Sequence, residues 1–179
     1  QDLVRLDTRR AMLQEMVETR AGFAESVRAV LKARAAGQAF KSIIAPLADL
    51  IETRPDVDAE AAAAVEAALG ADLQALIVES AAALPCREEL ATLPGRVIFM
   101  PMVSAAPCTD AVPSVDPTMC GLTTESGGRF VALRSLVRVR DGDIADPRLQ
   151  DLLDRILGRT YLVSNLDAAL LMASGPLAG

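Results

Sequence analysis

The sequence predicts a mixed α/β (α+β) fold: two similar α/β subdomains behind an N-terminal helix that reads as a coiled-coil stub. One unit occurs twice, made of an apolar strand, an Asp/Pro loop, an amphipathic helix ending Leu-Gly and a second apolar strand. The first copy runs from Leu50-Ile51 through Pro55 and Asp58 to a helix closing at Leu69-Gly70, then Leu76-Ile77-Val78. The second runs from Leu136-Val137 through Asp146-Pro147 to Leu157-Gly158, then Tyr161-Leu162-Val163. Inside the helices, Ala61, Ala64, Val65, Ala68, Leu69 and Gly70 match Leu149, Leu152, Leu153, Ile156, Leu157 and Gly158 at a constant offset of 88 residues. Both sets keep the i, i+3, i+4, i+7, i+8 spacing that lays one stripe of a helix on a core. A unit present only twice points to two subdomains related by approximate symmetry, because a solenoid needs at least about three repeats to bury its faces.

The elements follow in order. Residues 1–34 lack proline and place Leu3, Leu6, Leu13, Met16, Val17 and Phe23, then Val27, Val30 and Leu31, at helical spacing, which predicts two helices joined near Gly22. The tracks Leu6, Leu13, Arg20 and Leu3, Arg10, Val17 fit a heptad seam in part, as a coiled-coil stub or an ordinary amphipathic surface helix would. Residues 35–41 form a loop around Gly37, and at Ile43 the chain enters the first unit, where Pro46 limits ladder donation. Asp56 or Asp58 caps the next helix by accepting from its free N–H groups, and Gly70 supplies the left-handed residue past its end. Leu76-Ile77-Val78 is a buried strand, 81–84 and 87–93 are short helices either side of Pro85, and 95–101 is a strand stopped by Pro101. Residues 104–128 carry three prolines, two cysteines and no apolar period, so they form a long linker loop. Near Phe130 the second unit opens; Asp146 as cap and Pro147 at the first helical position mark its helix, since proline lacks the N–H that would go unpaired there. Ser164 or Asn165 caps a last helix over 166–173, ended by Gly175-Pro176. The division is thus a coiled-coil end helix at 1–21, a first subdomain at 22–103, a linker at 104–128 and a second subdomain at 129–179.

Composition narrows the function. In 179 residues, 51% are apolar and 3% aromatic, so the core is built from Ala, Leu, Val and Ile. Cys86, Cys108 and Cys120 are odd in number with no paired spacing, which argues against a disulfide framework and for reduced cytosolic thiols. The absence of histidine excludes Ser/His and Cys/His catalysis, and leaves a zinc site only three scattered thiols. No apolar run reaches the roughly 18 residues of a membrane span, and no basic-then-apolar signal opens the chain. Its start at Gln1 points to an excised piece of a longer protein. The net charge of −6 is unevenly spread: residues 1–41 hold eight basic and five acidic residues, a balance of +3, which leaves −9 for the rest. Attraction to nucleic acid is therefore local to the N-terminal segment or to a patch.

Each chemical motif has a plainer reading. Asp141, Asp143 and Asp146 resemble the start of a calcium loop, but the required glycine and final acid are Asp146 and Leu152, so loop and helix cap is the stronger reading. Gly127-Gly128 is a flexible entry to the second half, as no Gly-x-x-x-x-Gly-Lys-Ser/Thr phosphate loop occurs. Arg134, Arg138 and Arg140 alternate with Leu133, Ser135, Val137 and Val139, which on a strand puts all three on one face with Leu136, for phosphate or for solvent balanced by the nearby aspartates. Arg28 and Lys32 lie one helical turn apart with Arg34 close by, a phosphate contact or a solubilising face. Of the thiols only Cys86, beside Arg87, has an electropositive neighbour.

The order of motifs resembles the hinge domain of structural maintenance of chromosomes (SMC) proteins, in a divergent bacterial form. Gly22-Phe23 followed by Val27, Arg28, Ala29, Val30 and Leu31 is similar to the family's hinge entry. Residues 46–51, 64–70 and 73–79 resemble its first subdomain, and Gly95-Arg96-Val97-Ile98-Phe99-Met100-Pro101-Met102 its glycine, arginine, apolar run and proline. Residues 157–163 with 166–170 resemble the close of the second subdomain.

The resemblance implies an SMC hinge-like fold and a non-enzymatic dimerisation hinge, joining two coiled-coil arms in chromosome segregation and condensation, cytoplasmic and nucleoid-associated, without cofactor or metal. It implies a homodimer in which sheet edges meet, here Ser42, Ile43, Ile44 and Ala45 with Phe130, Val131, Ala132 and Leu133. It also implies weak DNA binding, placed on Arg28, Lys32 and Arg34, with ATP-binding heads far outside this segment. The family's glycine-rich edges are replaced here by residues 42–45 and by Val131, so edge contact has to be made past larger side chains. The competing class is a small-molecule-binding or enzymatic two-subdomain α/β protein, for which no convergent titratable set is evident.

Overall fold

The computed structural model describes residues 2–103, 130–140, 147–167 and 169–170. Helix α1 (Asp2–Glu18) leads through a turn into α2 (Glu25–Ala35). The first unit is β1 (Ile43–Pro46), α3 (Leu47–Leu50), β2 (Ile51–Thr53), α4 (Ala59–Leu69) and β3 (Leu76–Ser80). A single turn α5 (Arg87–Leu90) and β4 (Phe99–Val103) follow. The second unit is β5 (Phe130–Ala132), α6 (Leu133–Leu136), β6 (Val137–Val139), α7 (Pro147–Leu157) and β7 (Tyr161–Val163). The repeat therefore extends further than the helical stripe indicates, to five elements in the same order in each copy.

Local chemistry explains the shared Leu-Gly ending in two different ways. Asp58 starts α4, its Oδ1 accepting from Ala61 N–H at 2.7 Å, and Gly70 ends it at φ +47°, a conformation that L side chains rarely adopt. Gly158 is not left-handed; there a Cβ would stand 2.1 Å from the Asp154 carbonyl oxygen, so close backbone approach fixes the glycine.

Strand order β1-β3-β4 makes β3 central, antiparallel to β1 and parallel to β4. Its alternation divides the interior: Leu76 and Val78 face a core with Val27, Val30, Phe40 and Ile43 beneath α2. Ile77 faces the larger core with Leu47, Val65, Leu69, Met102, Leu149, Leu153 and Leu157. Helix α7 packs on β4 and α6, so the second unit's helix lies on the first unit's sheet.

Three expectations need correction. The strand placed at 95–101 starts later and runs through Pro101; β4 is an edge strand paired only with β3 among the described residues, and an edge tolerates a residue that donates no hydrogen bond. Arg134 lies in α6 rather than on a strand with Arg138 and Arg140, because the backbone turns for four residues between β5 and β6. Ala68 of the α4 stripe is exposed. The 104–128 linker, Cys108, Cys120 and the aspartates at 141, 143 and 146 lie outside the described residues, as do Ala168 and 171–179 of the closing segment.

Glu89 ties the α5 turn to the first core. Its carboxylate accepts from Phe40 N–H and Cys86 N–H, each at 3.0 Å. These two backbone bonds, Phe40's first, hold the carboxyl below its ordinary value. Protonation weakens both, so this stabilisation is present above the unfolded carboxylate value of about 4.3 and is lost as pH falls through the lower folded value. A carboxyl-resolved NMR titration should find Glu89 titrating below the ordinary glutamate value; a titration at or above that value contradicts this linkage.

Candidate dimer interface

The two units sit about an internal two-fold axis. β2 and β6 pair antiparallel with Ile51 opposite Val139, Glu52 opposite Arg138 and Thr53 opposite Val137. The pairing is reciprocal at its ends: Arg54 N–H donates to the Leu136 carbonyl and Arg140 N–H to the Leu50 carbonyl, both at 2.9 Å. Glu52 and Arg138 occupy equivalent places in the two units, so the axis passes between them. There Glu52 pairs with Arg138 at 2.5 Å and with Arg140 at 3.6 Å. The arginines expected as a basic face are thus engaged within the chain, and Arg134 pairs with Asp154 while donating to the Val137 carbonyl at 3.1 Å.

The candidate edges are another pair of equivalent places in the two units. β1 is an outer strand of its sheet, and β5 pairs only with β7, so among the described residues each has one open side. They are built alike. Leu47 N–H donates to the Ala75 carbonyl (2.8 Å) and Leu133 N–H to the Thr160 carbonyl (2.9 Å). By the alternation of an antiparallel ladder, the residues just before these donors, Pro46 and Ala132, direct their backbone nitrogens away from the sheet. Ile43, Ile44 and Ala45 are therefore on an open edge, interrupted by a β-bulge between Ile43 and Ala45. A bulge bends and twists an edge and restricts what can pair with it. Ser42 precedes the strand; Val131 and Ala132 are partly buried, and the side chains of Ile43 and Leu133 belong to the core at 1% and 3% exposure.

A cleft of about 470 Å³ adjoins β1, lined by Arg34, Lys41, Ser42, Glu79 and Arg148 among others. Another of about 380 Å³ adjoins β5 and β7, lined by Asp56, Val57, Asp58, Glu60, Ala61 and Val131 among others.

The three residues named for DNA do not form one patch. Arg28 and Lys32 share an exposed side of α2 away from Val27 and Val30, whereas Arg34 reaches the cleft beside β1. Lys41, Glu52, Glu79 and Arg148 were missed from sequence. Aligning the strands at their own offset, with Glu52 matched to Arg138, was the available signal. Among the described residues no three His, Cys, Asp or Glu side chains gather as metal ligands, and no helix is long and apolar enough to cross a membrane.

A two-lobed α/β module with an internal dyad and two equivalent open edges is a class defined by geometry alone. Within it the chain belongs to the family of SMC proteins' flexible hinge domains, whose model matches residues 40–173. Among solved structures it is similar to an asymmetric dimer of the Geobacillus stearothermophilus SMC hinge domain, with a TM-score of 0.65 and 24% identity, covering 94% of this chain and 61% of that one. A folded elbow of cohesin is similar at TM-score 0.49 and 17% identity, over 83% of this chain and 18% of that chain. This chain therefore spans less than two thirds of the length of either. Comparison with curated proteins by sequence found no match.

Proposed function

We propose that this chain is a non-enzymatic dimerisation hinge of an SMC-like protein of chromosome segregation and condensation, acting in the cytoplasm at the nucleoid. The observation that carries it is the pair of equivalent open edges, β1 and β5, related by an internal two-fold axis. Two copies satisfy both edges at once when β1 of each meets β5 of the other. On this reading residues 22–103 and 129–179 are the two lobes and 104–128 the linker. Residues 1–21 are the end of an arm, which suits Leu6, Met12 and Met16, 62%, 63% and 48% exposed on a helix that needs another helix to cover them. Sedimentation equilibrium tests the reading: a dimer is expected at micromolar concentration, and a monomer well above it overturns it.

Weak DNA contact belongs to the same proposal, on Arg28 and Lys32. Their exposed side of α2 is free of the clefts and lies in the basic N-terminal segment. Binding to single- and double-stranded DNA should fall with salt, and Arg28→Glu with Lys32→Glu should lower both affinity and the salt slope, by about 0.9 per lost duplex phosphate contact. No binding at low salt removes this part alone.

A further inference from the structure

We propose that two copies of this chain select each other by a charge match between the cleft beside β1 and the cleft beside β5. The proposal rests on the hinge reading and names what sets its pairing.

The two clefts are equivalent places in the two units. Arg148, second residue of α7, stands where α4 has Glu60, at the helical offset of 88 residues, and Glu79 in β3 stands where Ser164 follows β7. Their charges are opposite. The β1 cleft gathers Arg34, Lys41 and Arg148 against one acid, Glu79, which Arg148 meets at 3.2 Å. Arg34 and Lys41, contributed by α2 and the loop after it, are the excess, and these elements have no counterpart among the described residues of the second unit. Among the described residues, the β5 cleft is lined by Asp56, Asp58 and Glu60 with no basic residue. Asp56 pairs with Arg54 at the rim (3.5 Å), and Asp58 is held as the α4 cap.

A second copy can approach in two ways. Joining β1 to β1 sets the basic clefts face to face, and joining β5 to β5 does the same with the acidic ones. Joining β1 to β5 puts opposite charge together twice about one axis. Like charges facing each other at an interface are costly, whereas complementary ones speed encounter and fix register. Where family glycines are absent from the edges, charge takes over part of the recognition that close backbone contact supplies.

The test is sedimentation equilibrium on the whole chain at about 0.1 M and about 1 M salt, where the screening length falls from about 10 Å to about 3 Å. Arg34→Glu with Lys41→Glu, or Asp56→Lys with Glu60→Lys, should each weaken the dimer at least about tenfold at the lower salt, with the gap narrowing at the higher. The chain carrying all four changes should dimerise again, since cross-pairing once more joins opposite charges. An equimolar mixture of the two single-sided variants should also recover a dimer, each supplying the charge the other lacks. Wild-type affinity in either single-sided variant, or no recovery in both the combined chain and the mixture, overturns the proposal. A monomeric wild type overturns the hinge reading instead.

Discussion

Leu153→Ala should lower the unfolding free energy by about 3 kcal/mol, with the melting temperature falling by roughly 6–12 °C for a chain of this size. Leu153 is 0% exposed in the larger core, with Leu149 at 0% and Leu157 at 1% along the same stripe of α7. Truncation removes its transfer free energy and leaves a cavity that the neighbours fill only in part. The site has little freedom to collapse, because α7 is held at both sides: Arg155 donates to the Met102 carbonyl of β4 at 2.6 Å, and Asp154 pairs with Arg134 of α6. Its counterpart in α4 is already the smaller Val65, so Val65→Ala, which deletes one carbon fewer, should cost about 2 kcal/mol. Urea titration of both variants measures the difference; equal losses would mean that the two helices are packed alike.

Ala132→Pro should leave the fold intact and abolish or weaken the dimer at least about tenfold. Ala132 has φ −67° and ψ 122°, within the range proline imposes, and Val131 before it is in a strand, as a residue preceding proline prefers. Its nitrogen faces away from β7, so no ladder bond is lost. The first unit shows that the position accepts the change, since Pro46 occupies the equivalent place with φ −64° and ψ 148°. Fewer unfolded conformations add up to about 1 kcal/mol of stability at such a site. A proline there deprives an approaching strand of a donor and places a ring in its path. A dimer of wild-type affinity in this variant shows that the β5 backbone is not the contacting edge.

The doubling of the fold was legible because helix stripes and Leu-Gly endings survive as patterns of residue type. What escaped was whatever depends on the return path of the chain. Arg138 and Arg140 look like a solvent-facing stripe until β2 arrives beside β6 and brings Glu52 to them. Pro101 looks like a stop until β4 is seen at a sheet edge, where a missing donor costs nothing. Arg28, Lys32 and Arg34 are neighbours in sequence, yet a separation of two residues turns Arg34 to another side of α2 from Lys32. The glycines at 70 and 158 were readable as a pair, but only backbone coordinates separate the left-handed one from the crowded one.

The Glu52–Arg138 contact carries a consequence for how the two halves could ever be exchanged. A residue sitting on a two-fold axis meets its own copy, so two first halves joined at this seam would set Glu52 against Glu52, and two second halves Arg138 against Arg138. Only a mixed pair is attractive there. The charge reversal at one duplicated position biases the seam toward a first half joined to a second, so swapping halves between molecules is favoured in the native combination.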